Sequence, residues 1–212
     1  MKDQIQVLTI LKKHYPQKAD MNLGDPGDSL IATIMSARTT DAQVLKMFPG
    51  FRKKFPNWKK LADAKLEDIA KAMNTIGLYR NKAKSIKALA QKIITDHNGK
   101  VPNNMEDLVA LPGVGRKTAS CVLSECFHQP AIAVDTHVFR ISRRLGWAKA
   151  DNPIKVEKEL AALIPKEFWS SINRTFVHFG RDICKPQKPQ CYRCPVAKFC
   201  RFPNKNLDLQ TD

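Results

Sequence analysis

Three sets of residues in this 212-residue chain have types and spacing suited to chemistry. The first centres on Lys117, which follows Leu111-Pro112-Gly113-Val114-Gly115-Arg116 and stands in the first turn of an expected helix. The positive end of the helix dipole and the neighbouring Arg116 lower the cost of losing its proton. A neutral amine is a nucleophile. The second is Asp135, ahead of Thr136 and His137. Aspartate before a helix commonly does no more than cap it. Here the apolar run Ala131-Ile132-Ala133-Val134 precedes it, so the carboxylate should emerge at a sheltered place. There it could accept a proton or stabilise a cationic transition state.

The third set is Cys184, Cys191, Cys194 and Cys200, spaced C-x6-C-x2-C-x5-C. Four thiols so close in sequence imply one site with four sulfur ligands. Zinc ribbons usually pair two short Cys-x-x-Cys knuckles, and only Cys191 and Cys194 have that spacing. An iron–sulfur cube accepts thiolates from irregular loops, and the spacing suits it better than zinc. Disulfides are the third choice, because six cysteines in a chain without a secretory leader point to ligation. Cys121 and Cys126 fall on a helix, where they should pack as small apolar side chains.

The elements that position these groups come next. A helix over 105–110, a Pro-Gly-Val-Gly turn and a helix over 117–127 make a helix-hairpin-helix pattern, packed through Leu108, Leu111, Val114, Ala119 and Val122. The two glycines allow positive φ. The amides of Val114, Gly115 and Arg116 should point outward at a helix N-terminus, which favours an anion. A plain helix–helix connection is the alternative. Lys185, Lys188, Arg193, Lys198 and Arg201 lie between or beside the cysteines, where they could meet phosphates.

Helices are also expected over 3–14, ended by Tyr15-Pro16, and from a Ser29 cap through Met35, after a linker over 22–28. Thr40 and Gln43 form a capping box for a helix reaching about Phe48. Short helices should cover 58–64 and 66–75. The most regular amphipathic helix runs over 81–96, with Ala83, Ile86, Leu89, Ala90, Ile93 and Ile94 on one face and Gly99 past its end. After Asp135 a helix through Val138, Ile141 and Leu145 should end at Gly146, followed by helices over 154–164 and 169–183. Beyond Cys184 periodicity is lost, and 206–212 should fray. No segment has a strand pattern, so the expected fold class is all-α, in one lobe or two.

Hydrophobic residues make up 43% and charged residues 26%, which excludes a disordered chain. The formal net charge of +16 points to a polyanionic partner. In that setting the anion at the hairpin is a nucleic-acid phosphate, and an amine attacking a sugar C1′ would give a Schiff base. No apolar run is long enough to span a bilayer, and the N-terminus lacks a signal-peptide core, so a cytoplasmic or nucleoid location without membrane is expected.

The run Leu111 to Ala119, then Val134-Asp135-Thr136-His137-Val138-Phe139-Arg140, then the four cysteines resemble the endonuclease III family of helix-hairpin-helix DNA glycosylases. The likeness covers about Leu30 to Cys200. It implies a two-lobed all-α fold with a central cleft for DNA. A six-helix barrel would span 22–130, and a second lobe of 1–21 plus 131–212 would hold a [4Fe-4S] cluster on Cys184, Cys191, Cys194 and Cys200. It implies a monomeric glycosylase and apurinic/apyrimidinic lyase of base excision repair. The partner would be double-stranded DNA with a damaged base or abasic site, and the substrate oxidised pyrimidines. Lys117 matches the nucleophile and Asp135 the catalytic aspartate. Gly113 and Gly115 allow the hairpin's contact with the DNA backbone, which takes in Val114 and Arg116, and Lys188 is read as a further phosphate contact beside the cysteines. Leu78 matches the residue that wedges into the duplex. Arg38, in Ser36-Ala37-Arg38, replaces a glutamine that fills the gap left by a flipped nucleotide; arginine could fill it and also bond a guanine edge. Two other readings stay open: a pyrimidine-dimer or thymine-mismatch glycosylase of the same family, and a non-catalytic module that binds DNA structure.

Overall fold

The computed structural model describes residues 2–15, 21 and 23–207. Pro16, Asn22 and residues 208–212, for which a helix stop, a linker and fraying were expected, lie outside the described residues. Among the described residues there are helices, turns and loops but no strand. In chain order the helices are α1 (Lys2–His14), α2 (Pro26–Ser36), α3 (Asp41–Lys54), α4 (Trp58–Asp63), α5 (Leu66–Ala72), α6 (Tyr79–His97), α7 (Met105–Val109), α8 (Arg116–Cys126), α9 (Thr136–Leu145), α10 (Pro153–Leu163) and α11 (Lys166–Asp182). Two 3-10 turns, Cys191–Arg193 and Ala197–Phe199, follow.

The chain forms two compact units, Asp20–Phe127 and Met1–Ala19 with His128–Asp212. In the first, α6 is the central element and packs against α2, α4 and α5. Its stripe of Ala83, Ile86, Leu89, Ala90 and Ile93 is fully buried, as periodicity requires. Ile94 departs from the expected face and is 38% exposed, because it falls one residue past the stripe. The helix closes with Asn98 in the left-handed region and Gly99 N–H donating to Ile93 O.

Three local expectations are corrected. Helix α2 starts at Pro26, capped by the Asp25 carboxylate on Asp28 N–H, with proline at a first-turn position that needs no N–H. Ser29 lies inside that helix, buried, and its hydroxyl accepts from Leu23 N–H. Helix α3 continues past Phe48 to Lys54 through Pro49, since burial of Phe48 and Phe51 outweighs the hydrogen bond that proline removes. Half of the capping box forms: Thr40 Oγ1 accepts from Gln43 N–H, while the Gln43 side chain donates to Thr75 O instead.

In the second unit, α1 packs against α11 and α9 against α11. Leu8, Leu11, Val138, Ile141, Ile172 and Phe176 form the centre of its core. Tyr15 donates to Asp182 Oδ2 at 2.9 Å, which ties the end of α1 to the end of α11. Burial pushes the Tyr15 phenol well above its ordinary range, with the Asp182 hydrogen bond acting the same way.

Candidate functional site

The hairpin joins α7 to α8. Asn104 caps α7 on Asp107 N–H, and Leu108, Leu111, Val114, Ala119 and Val122 are all buried. The two glycines do different things. Gly113 has φ +78 and faces α6, where an added Cβ would lie 2.7 Å from Ser85 Cβ. Gly115 is extended, at φ −86 and ψ 168, with open space around it, and acts as the N-cap of α8. Val114 N–H donates to Leu111 O inside the turn, so it does not point outward as expected. The Gly115 N–H has no partner among the described residues. Lys117 is exposed in the first turn of α8, the position given by its spacing from the turn.

Arg38 and Leu78 belong to the same unit and share a backbone device. Both sit in the left-handed region, at φ 56 and φ 58, and both are exposed, Leu78 by 53%. Their loops touch: a Cβ on Gly77 would meet Arg38 O at 3.3 Å. A residue that sequence reasoning passed over bonds to the chain on either side of Arg38. Lys82 is only 6% exposed, and its ammonium donates to Met35 O at 2.7 Å and Thr39 Oγ1 at 3.1 Å. Burial lowers its pKa. The signal was present, since Lys82 occupies the same helical stripe as Ile86 and Ile93.

Asp135 is half-buried and is the N-cap of α9. One carboxylate oxygen, Oδ1, accepts from His137 N–H at 2.9 Å and Val138 N–H at 2.8 Å. Its other oxygen has no partner among the described residues. The run Ala131 to Val134 ahead of it is buried, as expected. Arg140 donates to His137 Nδ1 at 3.1 Å, which makes that nitrogen the acceptor and leaves the imidazole proton on Nε2. Burial lowers the His137 pKa, which favours the same neutral ring.

The four cysteines line one cavity, otherwise walled by apolar groups such as Ile141, Leu145, Phe179 and Val196. Burial pushes the Cys194 thiol up to about 11, and Cys184, Cys200 and Cys191 all act in the same direction. Such mutual repulsion between thiolates is relieved by a bound cation, so the donor set fits a metal group. Among the described residues no three His, Cys, Asp or Glu side chains are gathered closely enough to hold a single metal ion. The thiols surround a space instead. Arg144 links the first and last of them: its Nη1 lies 3.3 Å from Cys184 Sγ, and its carbonyl lies 3.3 Å from Cys200 Sγ. Its guanidinium also donates to Lys185 O and Pro186 O and covers the Phe202 ring at 4.4 Å.

Of the cations expected beside the cysteines, Lys188 is exposed at φ 44. Arg193 differs from expectation, because it is paired with Asp182 Oδ1 at 2.5 Å and bonded to Gln190. Cys126 is half-buried, and burial raises its thiol pKa, in keeping with a packing role.

A left-handed glycine turn between α7 and α8, followed by an exposed lysine, makes the first unit that of a helix-hairpin-helix protein. The chain belongs to the HhH-GPD superfamily of base excision DNA repair proteins, whose family model matches residues 31–166. It is 40% identical to an endonuclease III of Synechocystis sp. over 197 residues, covering 92% of this chain and 90% of that one. It is similar to the solved structure of a trapped covalent endonuclease III–DNA intermediate in an estranged-adenine complex. There the TM-score is 0.88 and the identity 42%, over 95% of this chain and 96% of the other. A thermostable thymine-DNA glycosylase matches with a TM-score of 0.84 and 28% identity, over 95% and 96%. Among the described residues no helix is long and apolar enough to cross a membrane.

Proposed function

We propose that this chain is a bifunctional DNA glycosylase and apurinic/apyrimidinic lyase that excises oxidised pyrimidines from duplex DNA in base excision repair. The observation that carries the reading is Lys117, an exposed amine in the first turn of a helix entered through a glycine turn. Likeness to an endonuclease III trapped covalently on DNA supports it. The Lys117 amine attacks C1′ of the damaged nucleotide; the N–C1′ bond forms as the glycosidic bond breaks, and the base leaves with a proton. The ring opens to a Schiff base. Loss of a C2′ proton then expels the 3′ phosphate by β-elimination. The free oxygen of Asp135 stabilises the cationic sugar or accepts the lysine proton, while its other oxygen holds α9.

Gly113, Val114, Gly115 and Arg116 form the backbone contact, with the Gly115 N–H toward a phosphate. Leu78 enters the duplex, Arg38 faces the position left by the flipped nucleotide, and Lys188 adds a phosphate contact. Cys184, Cys191, Cys194 and Cys200 would hold a [4Fe-4S] cluster, since four thiols around a cavity suit a multi-atom group better than one zinc ion. When bound, the cluster would brace the irregular segment 184–200. The protein acts as a monomer in the cytoplasm, on the nucleoid.

The test is borohydride trapping on duplexes carrying one thymine glycol or one abasic site, with Lys117→Ala beside the wild type. A covalent complex on both, absent in the variant, is the expected outcome. Binding without trapping on either would leave a non-catalytic DNA-binding module. A second reading, removal of thymine from mismatches, draws on the likeness to the thymine-DNA glycosylase and on Arg38, which could bond the guanine opposite. Excision from a G·T duplex faster than from the thymine glycol duplex would favour it.

A further inference from the structure

Beside the cysteine cavity, and sharing Arg144 and Phe202 with its wall, the second unit carries a groove of about 380 Å³ lined also by Phe139, Arg140, Arg143, Arg201 and Pro203. Four of these seven residues are arginines and none is acidic. The arginines divide by what their donors do. Arg140 donates to Cys184 O through Nε and Nη2, and Arg144 donates to Lys185 O and Pro186 O. These two are fixed in place and supply positive charge to the wall. Arg143 and Arg201 are exposed and less engaged. Arg143 gives one Nη1 bond to Ala150 O at 2.7 Å and lies over the Phe139 ring. The Arg201 guanidinium has no hydrogen-bond partner among the described residues, yet its position is set. Its backbone N–H donates to Arg144 O, and its stem crosses Gly146, where a Cβ would come within 2.5 Å of Arg201 Cδ. Gly146 therefore serves twice, as the left-handed cap of α9 and as the bed for Arg201.

We infer that this groove binds phosphates of a nucleic-acid backbone, with Arg143 and Arg201 as the two contacting forks. Each guanidinium presents five N–H donors in a plane that matches phosphate oxygens in pairs. Arg143 lies over one face of Phe139 and Arg144 over one face of Phe202, so the rings serve the arginines as platforms and the contact is to backbone. The groove borders the cysteine cavity through Arg144 and Phe202 but includes none of the four cysteines. It rests on the DNA-binding reading above, but not on lesion excision.

The experiment measures equilibrium binding of an undamaged duplex and of a duplex with one uncleavable abasic-site analogue, across a range of salt. Arg143→Ser/Arg201→Ser is compared with wild type and with Lys149→Ser/Lys158→Ser, which removes equal charge from exposed positions outside the groove. Removing two phosphate contacts should lower the slope of log K against log salt by about 1.8 and weaken low-salt binding roughly tenfold on both duplexes. The lysine control should leave the slope unchanged. Arg143→Lys/Arg201→Lys, which keeps charge and stem packing, should restore most of the slope, and a thermal melt checks folding. An unchanged slope in the serine variant would overturn the proposal. If inorganic pyrophosphate then stabilised the wild type alone, the groove would be a free-phosphate site. Loss of lesion preference with the slope effect intact would count against the excision reading and leave the groove standing.

Discussion

Asp135 carries two demands on one side chain. Its Oδ1 satisfies two orphan amides at the start of α9, and its second oxygen, without a partner among the described residues, is the one the proposed chemistry would use. The two duties separate by substitution. Asp135→Asn retains a carbonyl oxygen that caps nearly as well, so stability should change by less than about 0.5 kcal/mol while excision collapses. Asp135→Ala should lose excision and also about 1 kcal/mol of stability. Chemical denaturation beside a cleavage assay distinguishes them. Equal stability for the two variants would show that the cap contributes nothing. From sequence the residue could be read as a cap or as a reacting group. The structure shows the cap and leaves the second oxygen without a partner among the described residues, because one carboxylate has two oxygens and the helix needs only one.

At the scale of elements, the α7–α8 turn and the start of α6 show how local geometry is set by neighbours. Gly113→Ala meets both a left-handed φ and the Ser85 side chain, so it should destabilise by about 2 kcal/mol or more. Gly115→Ala meets neither, and a cost near that of a weaker N-cap, roughly 0.5 kcal/mol, is expected. Similar losses at both positions would contradict this division. Lys82 ties the first turn of α6 to the loop of Arg38 through Met35 O and Thr39 Oγ1. Burial lowers its pKa, so the folded chain binds fewer protons than the unfolded one between that lowered value and the ordinary lysine value. Stability should therefore rise with pH across that alkaline window, relative to Lys82→Met. Parallel stability curves for the two proteins would refute it.

Over the whole molecule, stability is uneven. The segment 184–200 contains two three-residue 3-10 turns, and Val196 is one of its few core anchors. A segment with so little buried surface would be braced by the cluster proposed for its thiols. With the proposed cluster in the wild type, Cys194→Ser should lose its visible absorption and open this segment to proteolysis, while cleavage within α9 and α11 stays slow. Resistance equal to wild type would show that the Arg144 links suffice without the thiol set.

Periodicity and spacing determined most of the local structure. The α6 stripe, the α9 start at Asp135 and stop at Gly146, the glycine turn before Lys117 and the four-cysteine set were all legible, because each follows from contacts within a few residues. Nearby sequence also limits what it can say. Ser29 looked like a cap, but Asp25 with Pro26 begins the helix. Phe48 looked like an end, yet burial of Phe51 carries α3 through a proline. The tertiary structure alone decided that Lys82 would be buried on Met35 O and Thr39 Oγ1, that Arg193 would pair with Asp182, and that Arg144 would reach Cys184 across forty residues of chain. It also gathered Arg143 and Arg201 into one groove. Those outcomes depend on long-range packing, where a polar side chain goes to whichever carbonyl, carboxylate or thiol the fold leaves beside it.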